Sequence, residues 1–254
     1  MSTHLLIVLV SGIFVAAASG IVGSFLVLRR MTLLSDSLSH VALPGVALGV
    51  LWHLEPLVGG LVSLFLGVLI IWAIEHKTKL AIESITGVLF VTALAIGAIL
   101  IPEPELLETF FGSIENVTIA KAIMQMAIAT GVIGIALAFL KPLVLSSIAP
   151  DLTSTARISH ARMQLLLLTL IAFTIAIGIS FVGILLMSAL TIVPAVTARN
   201  LAQSLKGFIL LSVFLSILSL AGGLFAHSLL DVNLGAATVL LGATFFGLSL
   251  FKRS

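Results

Sequence analysis

Asp36 and His40 are the two side chains of this sequence whose types and spacing best suit chemistry. They lie four residues apart in "MTLLSDSLSHVALPGVALGV", residues 31 to 50, at the start of an otherwise apolar segment. On a helix, residues four apart share one face, with Cβ atoms about 5 to 6 Å apart. A carboxylate oxygen together with an imidazole nitrogen suits zinc, manganese or iron and disfavours copper(I). The pair is therefore a candidate binding site for a divalent transition metal ion.

A purely structural interpretation of the same pair is also open. Asp36, in "SDS", could cap the start of a helix, and His40 could be a packed histidine that donates to a backbone carbonyl. In favour of the metal site, an aspartate near the bilayer centre costs about 2.5 to 3.5 kcal/mol on insertion scales, so such residues usually mark ion paths. The residues alone leave both interpretations standing.

The composition predicts the element that must position this pair, a membrane-spanning helix. Of the 254 residues, 60% are apolar and 9% are charged, against about 25% charged residues in soluble domains. Apolar runs long enough to cross a bilayer follow one another along the whole chain. They fall at roughly 5–28, 33–52, 57–74, 84–101, 121–140, 163–179, 182–198, 207–227 and 235–251. We therefore expect one all-α integral membrane domain, residues 1–254, with eight or nine transmembrane helices, because the break between the sixth and seventh runs is weak.

Lysine and arginine placement predicts the orientation. If the first helix runs inward, 11 of the 12 basic residues fall on the cytoplasmic side and only Lys121 falls outside. This distribution predicts an odd number of spans, a cytoplasmic C-terminus and a location in the cell (inner or plasma) membrane. The predicted outer loop, 102–120, has no basic residue and has glutamates that either enrich cations near the entrance or are merely solvated: Glu103, Glu105, Glu108 and Glu115.

Several enzyme classes lack their signatures. Cysteine is absent, so the chain has neither disulfides nor thiolate metal ligands. No GxxxxGK[ST] motif is present to cradle a nucleotide, and HExxH and GxSxG are also missing. We predict that the chain is not an enzyme, holds no permanent cofactor, is surrounded by membrane lipid and has no nucleic-acid partner.

Two ligands do not complete a metal coordination shell, because zinc usually takes four ligands and manganese commonly about six. A two-fold homodimer would supply a second Asp36 and His40 across its axis.

The other five histidines fall at predicted helix ends, where an imidazole ring needs no special explanation. Among them, His53 with Glu55 is a weak candidate for an outer waypoint.

Three longer segments carry a family resemblance. "RRMTLLSDSLSHVALPGVALG", residues 29 to 49, resembles the second-helix region of permeases in bacterial and archaeal zinc and manganese ABC importers (the ABC-3 metal permeases). "VGILLMSALTIVPAVTARNLA" (182–202) and "LDVNLGAATVLLGATFFGLSLF" (230–251) are similar to later segments of the same family. In that family, the aspartate and histidine that match Asp36 and His40 line the translocation site.

The resemblance implies an architecture and a set of partners. The fold would be the helical bundle shared with vitamin B12 and siderophore importer permeases, assembled as a homodimer. Two ATP-binding-cassette ATPase subunits would dock on the cytoplasmic face, around residues 146–164, and would use the ATP. An extracytoplasmic metal-binding protein would deliver Zn²⁺ or Mn²⁺.

Two other functions remain as alternatives. One is a proton-coupled secondary transporter of divalent metals, in which Asp36 carries the proton and the chain works without an ATPase. The other is a membrane scaffold that transports nothing, in which Asp36 caps a helix.

Overall fold

The computed structural model describes residues 3–78, 80–100, 112, 117–149, 151 and 158–251. Most of these residues lie in helices, which confirms the predicted all-helical class. The ten described helices are α1 (Thr3–Leu28), α2 (Thr32–Leu51), α3 (Pro56–Lys77), α4 (Ile82–Leu100), α5 (Ile119–Ala138), α6 (Leu140–Ile148), α7 (His160–Val182), α8 (Ile184–Leu201), α9 (Leu205–Leu230) and α10 (Leu234–Phe251).

Eight of the described helices are long and apolar enough to cross a membrane, and α8 is a further apolar helix over Leu186–Leu201. The break between α7 and α8, which was uncertain from the sequence, falls at Gly183. This residue has a φ of 81°, in the left-handed region that glycine adopts readily because it has no Cβ. The sixth and seventh apolar runs are therefore separate helices.

The helix α2 is held inside the bundle. It packs against α3, α4 and α8, while α1 runs through the centre and contacts α5, α7, α8 and α9. The mean hydropathy of α2 is 1.3, the lowest of the eight long helices, and a larger share of it is buried than of the other seven. The least apolar span is thus enclosed by protein, so its polar side chains avoid lipid.

Contacts near the helix ends show which ends lie together. Lys121, at the start of α5, forms an ion pair with Glu55, which immediately precedes α3, with 3.4 Å between Nζ and Oε2. Glu55, which with His53 was a weak candidate for an outer position on the ion path, therefore has Lys121 as its ion-pair partner. The glutamates predicted to line the outer loop, at 103, 105, 108 and 115, lie outside the described residues.

A close backbone approach fixes α2 against α3. A Cβ atom built on Gly45 would lie 2.0 Å from the carbonyl oxygen of Gly59, and one built on Gly59 would lie 2.1 Å from the carbonyl oxygen of Gly45. Ser63 of α3 also donates to the carbonyl of Val41, at 2.6 Å. Small residues allow such contacts between membrane helices, where lipid supplies no hydrophobic drive.

Gly45→Ala is therefore expected to destabilise the protein by about 1 to 3 kcal/mol, the usual cost of overpacking, because the new methyl group would meet backbone atoms that cannot rotate away. The measurement is the thermal unfolding midpoint of the detergent-purified protein. Gly131→Ala is the matched control, since a Cβ at Gly131 on α5 has no atom within 4 Å. Equal midpoints for the two variants would contradict the close approach.

Candidate metal site

Asp36 lies in the second turn of α2 and does not cap the helix. The helix begins at Thr32, its N-cap position is Met31, and no side chain caps it. The carboxylate of Asp36 instead accepts a hydrogen bond from Ser188 of α8, with 3.0 Å between Oγ and Oδ1. The capping alternative is therefore wrong, and the half-buried carboxylate points at a neighbouring helix.

His40 is buried, with 5% of its surface exposed, and its ring orientation is set by two contacts. Its Nδ1 lies 3.0 Å from the backbone carbonyl oxygen of Asp36, and its ring meets Phe90 of α4 edge-on, with 4.8 Å between ring centroids. Because a carbonyl can only accept, this hydrogen bond places a proton on Nδ1, and a ring with that single proton keeps a lone pair on Nε2. This is the tautomer in which histidine binds a metal through Nε2.

The contacts that the structural alternative expected of His40 are therefore present. The ring does donate to a backbone carbonyl, as a packed histidine would, but that bond uses one nitrogen only. Pro44, four residues further along α2, lacks the N–H group that would donate to the carbonyl of His40. The backbone next to the pair therefore has an oxygen without its usual helical donor.

The charge of Asp36 has little compensation within the described part of the chain. No basic side chain there forms an ion pair with it, and the hydroxyl of Ser188 is its side-chain hydrogen-bond partner. The described residues also contain no group of three or more histidine, aspartate or glutamate side chains close enough to hold a metal ion. The arrangement offers a carboxylate and an imidazole on one buried helix, which is an incomplete shell for a cation.

Two residues of this site were missed in the sequence. Ser188 lies in the 182–202 segment, but a single hydroxyl in an apolar run is ordinarily a packing residue. Phe90 is one of 15 phenylalanines in the sequence, and the residues beside it in the sequence do not distinguish it from the others. Both reach the site because α8 and α4 pack on α2.

Two of the histidines at helix ends, His227 and His76, make contacts that are purely structural. His227 lies 2.7 Å from the carbonyl oxygen of Val232 through its Nδ1. His76 stacks on Trp72, with 5.7 Å between ring centroids and an interplanar angle of 1°. These contacts agree with the interfacial role expected of them.

The comparison with known proteins gives consistent matches over nearly the whole chain. The model of the ABC 3 transport family matches residues 1–253. The chain is 30% identical over 251 residues to the high-affinity zinc uptake system membrane protein ZnuB of Haemophilus influenzae, covering 96% of each chain. It is 31% identical over 247 residues to the manganese import system permease protein ScaB of Streptococcus parasanguinis, covering 96% of this chain and 88% of that protein.

A solved structure shares the fold. PsaBC from Streptococcus pneumoniae, in complex with Fab, superposes with a TM-score of 0.88 at 30% identity, covering 99% of this chain and 92% of that one. The two sequence relatives are membrane proteins of transport systems, and neither is an enzyme by name. The chain belongs to the ABC 3 transport family, as a multi-pass membrane permease subunit of an ABC importer.

Proposed function

We propose that this permease carries zinc or manganese into the cytoplasm and that Asp36 and His40 hold the ion during its passage. The observation that carries the proposal is a pair of side chains on the most enclosed helix. One is a carboxylate that has no basic partner among the described residues, and the other is an imidazole whose Nε2 is available. The names of the relatives support the cargo, since ZnuB is a zinc uptake protein and ScaB is a manganese import permease. One carboxylate and one imidazole per chain suit both ions, and iron besides.

A homodimer completes the site. One chain supplies two strong ligands, and a second copy related by a two-fold axis supplies the same two again. Four ligands satisfy zinc, and water adds the remainder for manganese. Because the ligands are divided between two subunits, the ion is held when the α2 helices approach and released when they separate. Such a site must bind weakly enough for the ion to leave.

The energy comes from other chains. This sequence has no nucleotide-binding loop, so ATP is used by two ATP-binding-cassette subunits that dock on the cytoplasmic face around residues 146–164. An extracytoplasmic metal-binding protein delivers the ion to the opposite face. ATP binding and hydrolysis rock the helices between outward-open and inward-open arrangements. The permease catalyses no covalent reaction and keeps no permanent cofactor.

The chain lies in the cell membrane as one domain, with its C-terminus in the cytoplasm. The pairing of Lys121 with Glu55 supports this orientation, because it gives the one basic residue assigned to the outer face an acidic partner there. Lipid covers the outside of the bundle. Large apolar side chains such as Val62, Val91 and Ile123 are more than half exposed on α3, α4 and α5 and suit that environment.

Metal uptake by reconstituted vesicles tests the proposal. The vesicles contain the permease with its copurified ATPase, and uptake of zinc, manganese and iron is measured after adding the metal-binding protein. We expect uptake to require ATP on the side of the membrane where the ATPase subunits are bound. An uncoupler should not diminish this uptake. Uptake by the permease alone, dissipated by an uncoupler, would identify a proton-coupled transporter instead. Absence of uptake of any of the three metals would favour the scaffold alternative.

A further inference from the structure

Arg29 and Arg30 are adjacent in the turn between α1 and α2, yet their side chains lie in different environments. The N–H of Met31 donates to the carbonyl of Leu26 at 2.9 Å, and the N–H of Arg30 donates to that of Val27 at 3.2 Å. Arg30 has a φ of 59°, so this is a helix-ending turn with a left-handed residue. Arg30 is exposed, whereas Arg29 is partly buried and directed into the bundle.

Each nitrogen of the Arg29 guanidinium donates to a different side chain. Nε donates to Ser147 at 3.0 Å and Nη2 donates to Ser146 at 2.6 Å, both in the last turn of α6. Nη1 donates to the side-chain oxygen of Gln164, in the second turn of α7. The planar fork of arginine can make three such bonds in fixed directions, and the single ammonium group of a lysine cannot reproduce them.

These partners lie on the two helices that flank the connection between α6 and α7 in the sequence. Ser146 and Ser147 lie in the last turn of the helix before it, and Gln164 lies in the second turn of the helix after it. Arg29 itself lies three residues before α2 begins at Thr32. One side chain therefore links both ends of this connection to the base of the helix that bears the candidate metal ligands.

Burial of this cation is costly, which distinguishes it from an ordinary topology anchor. Desolvation lowers the pKa of Arg29 to about 10, and the negative charge of Glu75 on α3 partly opposes that shift. The guanidinium therefore stays charged at neutral pH. An arginine that only fixed orientation in the membrane would gain nothing from burial, as the exposed Arg30 illustrates.

We propose that Arg29 is a positioning residue that couples the end of α6 and the start of α7 to α2, so that movement of these two helices displaces Asp36 and His40. This inference rests on the proposed function, in which the ATPase docks around residues 146–164, where α6 and α7 meet in the sequence. The mechanical path is short, because α2 begins three residues after Arg29 and Asp36 lies four residues further on, about 6 Å along that helix. The hydrogen bonds from the partly buried guanidinium transmit a pull from α6 and α7 to the start of α2.

The test compares metal uptake with ATP hydrolysis in the same vesicles, using Arg29→Lys. We expect the complex to assemble and to hydrolyse ATP while the number of ions imported per ATP falls about tenfold, within the 5- to 150-fold range of typical couplings between sites. A merely structural role would lower uptake and hydrolysis in proportion to the amount of assembled complex, and the ratio would stay constant. A constant ratio overturns the proposal.

Arg30→Gln is the matched control, because it removes a neighbouring positive charge that is exposed, and its ratio is expected to equal that of wild type. If Arg29→Lys does not assemble, the double variant Ser146→Ala, Ser147→Ala decides the question. It keeps Arg29 and removes two of its three acceptors, so a lowered ratio supports coupling and an unchanged ratio refutes it. Metal uptake by the wild-type complex, lost in Asp36→Ala, tests the proposed function separately in the same preparation.

Discussion

Asp36→Ala is expected to abolish metal uptake while the permease still assembles with its ATPase. The substitution removes the negative charge that offsets the cost of moving a divalent cation into the bundle. Removing one partner of a buried charge pair typically costs about 3 to 5 kcal/mol, which corresponds to a loss of more than about 100-fold. Assembly should survive because, in the described part of the chain, the carboxylate has one side-chain hydrogen bond, from Ser188.

Three further variants sharpen this experiment. Asp36→Asn keeps the shape and the possible bond to Ser188 but removes the charge, so its uptake should fall as far as that of Asp36→Ala. Ser188→Ala removes one hydrogen bond worth about 1 kcal/mol and should lower uptake only a few-fold. Glu83→Gln alters an exposed acid in the first turn of α4 and should leave uptake unchanged. Wild-type uptake by Asp36→Asn would refute the assignment of Asp36 as a ligand.

His40→Phe is expected to keep the fold and to lose metal uptake. A phenyl ring preserves the edge-on contact with Phe90 but has neither ring nitrogen, so it cannot bind a metal. Losing one strong ligand from each of two subunits should reduce uptake by about 100-fold or more, following the cost of leaving a buried charge without its partners. Uptake and thermal unfolding midpoint are measured on the same purified complex.

The comparison with His40→Ala separates packing from metal binding. His40→Ala leaves a cavity beside Phe90 and should lower both uptake and the unfolding midpoint, because large-to-small core substitutions typically cost about 2 to 5 kcal/mol. If His40→Phe takes up metal as well as wild type does, His40 is a core residue and the ion is held elsewhere. The ring contact and the hydrogen bond to the Asp36 carbonyl would then be its whole role.

The sequence by itself determined the membrane helices and the shared face of Asp36 and His40. Both are local properties. A bilayer has a hydrocarbon core about 30 Å thick and requires about 20 apolar residues in succession, which can be counted along the chain. Residues four apart meet on any α-helix, whatever surrounds it. The break at Gly183 was harder to find, because a single flexible glycine in an apolar stretch is compatible with a continuous helix as well as with two.

Only the tertiary structure decided which side chains surround the pair and which arginine is buried. Ser188 is 152 residues from Asp36 in the sequence, and Ser147 is 118 residues from Arg29. In a soluble protein, one apolar face would indicate which side of each helix turns inward. Here nearly every face is apolar, and lipid is as hydrophobic as the core, so periodicity cannot specify helix neighbours. Close packing at small residues such as Gly45 and Gly59, together with a few polar contacts, determines which helices are neighbours instead.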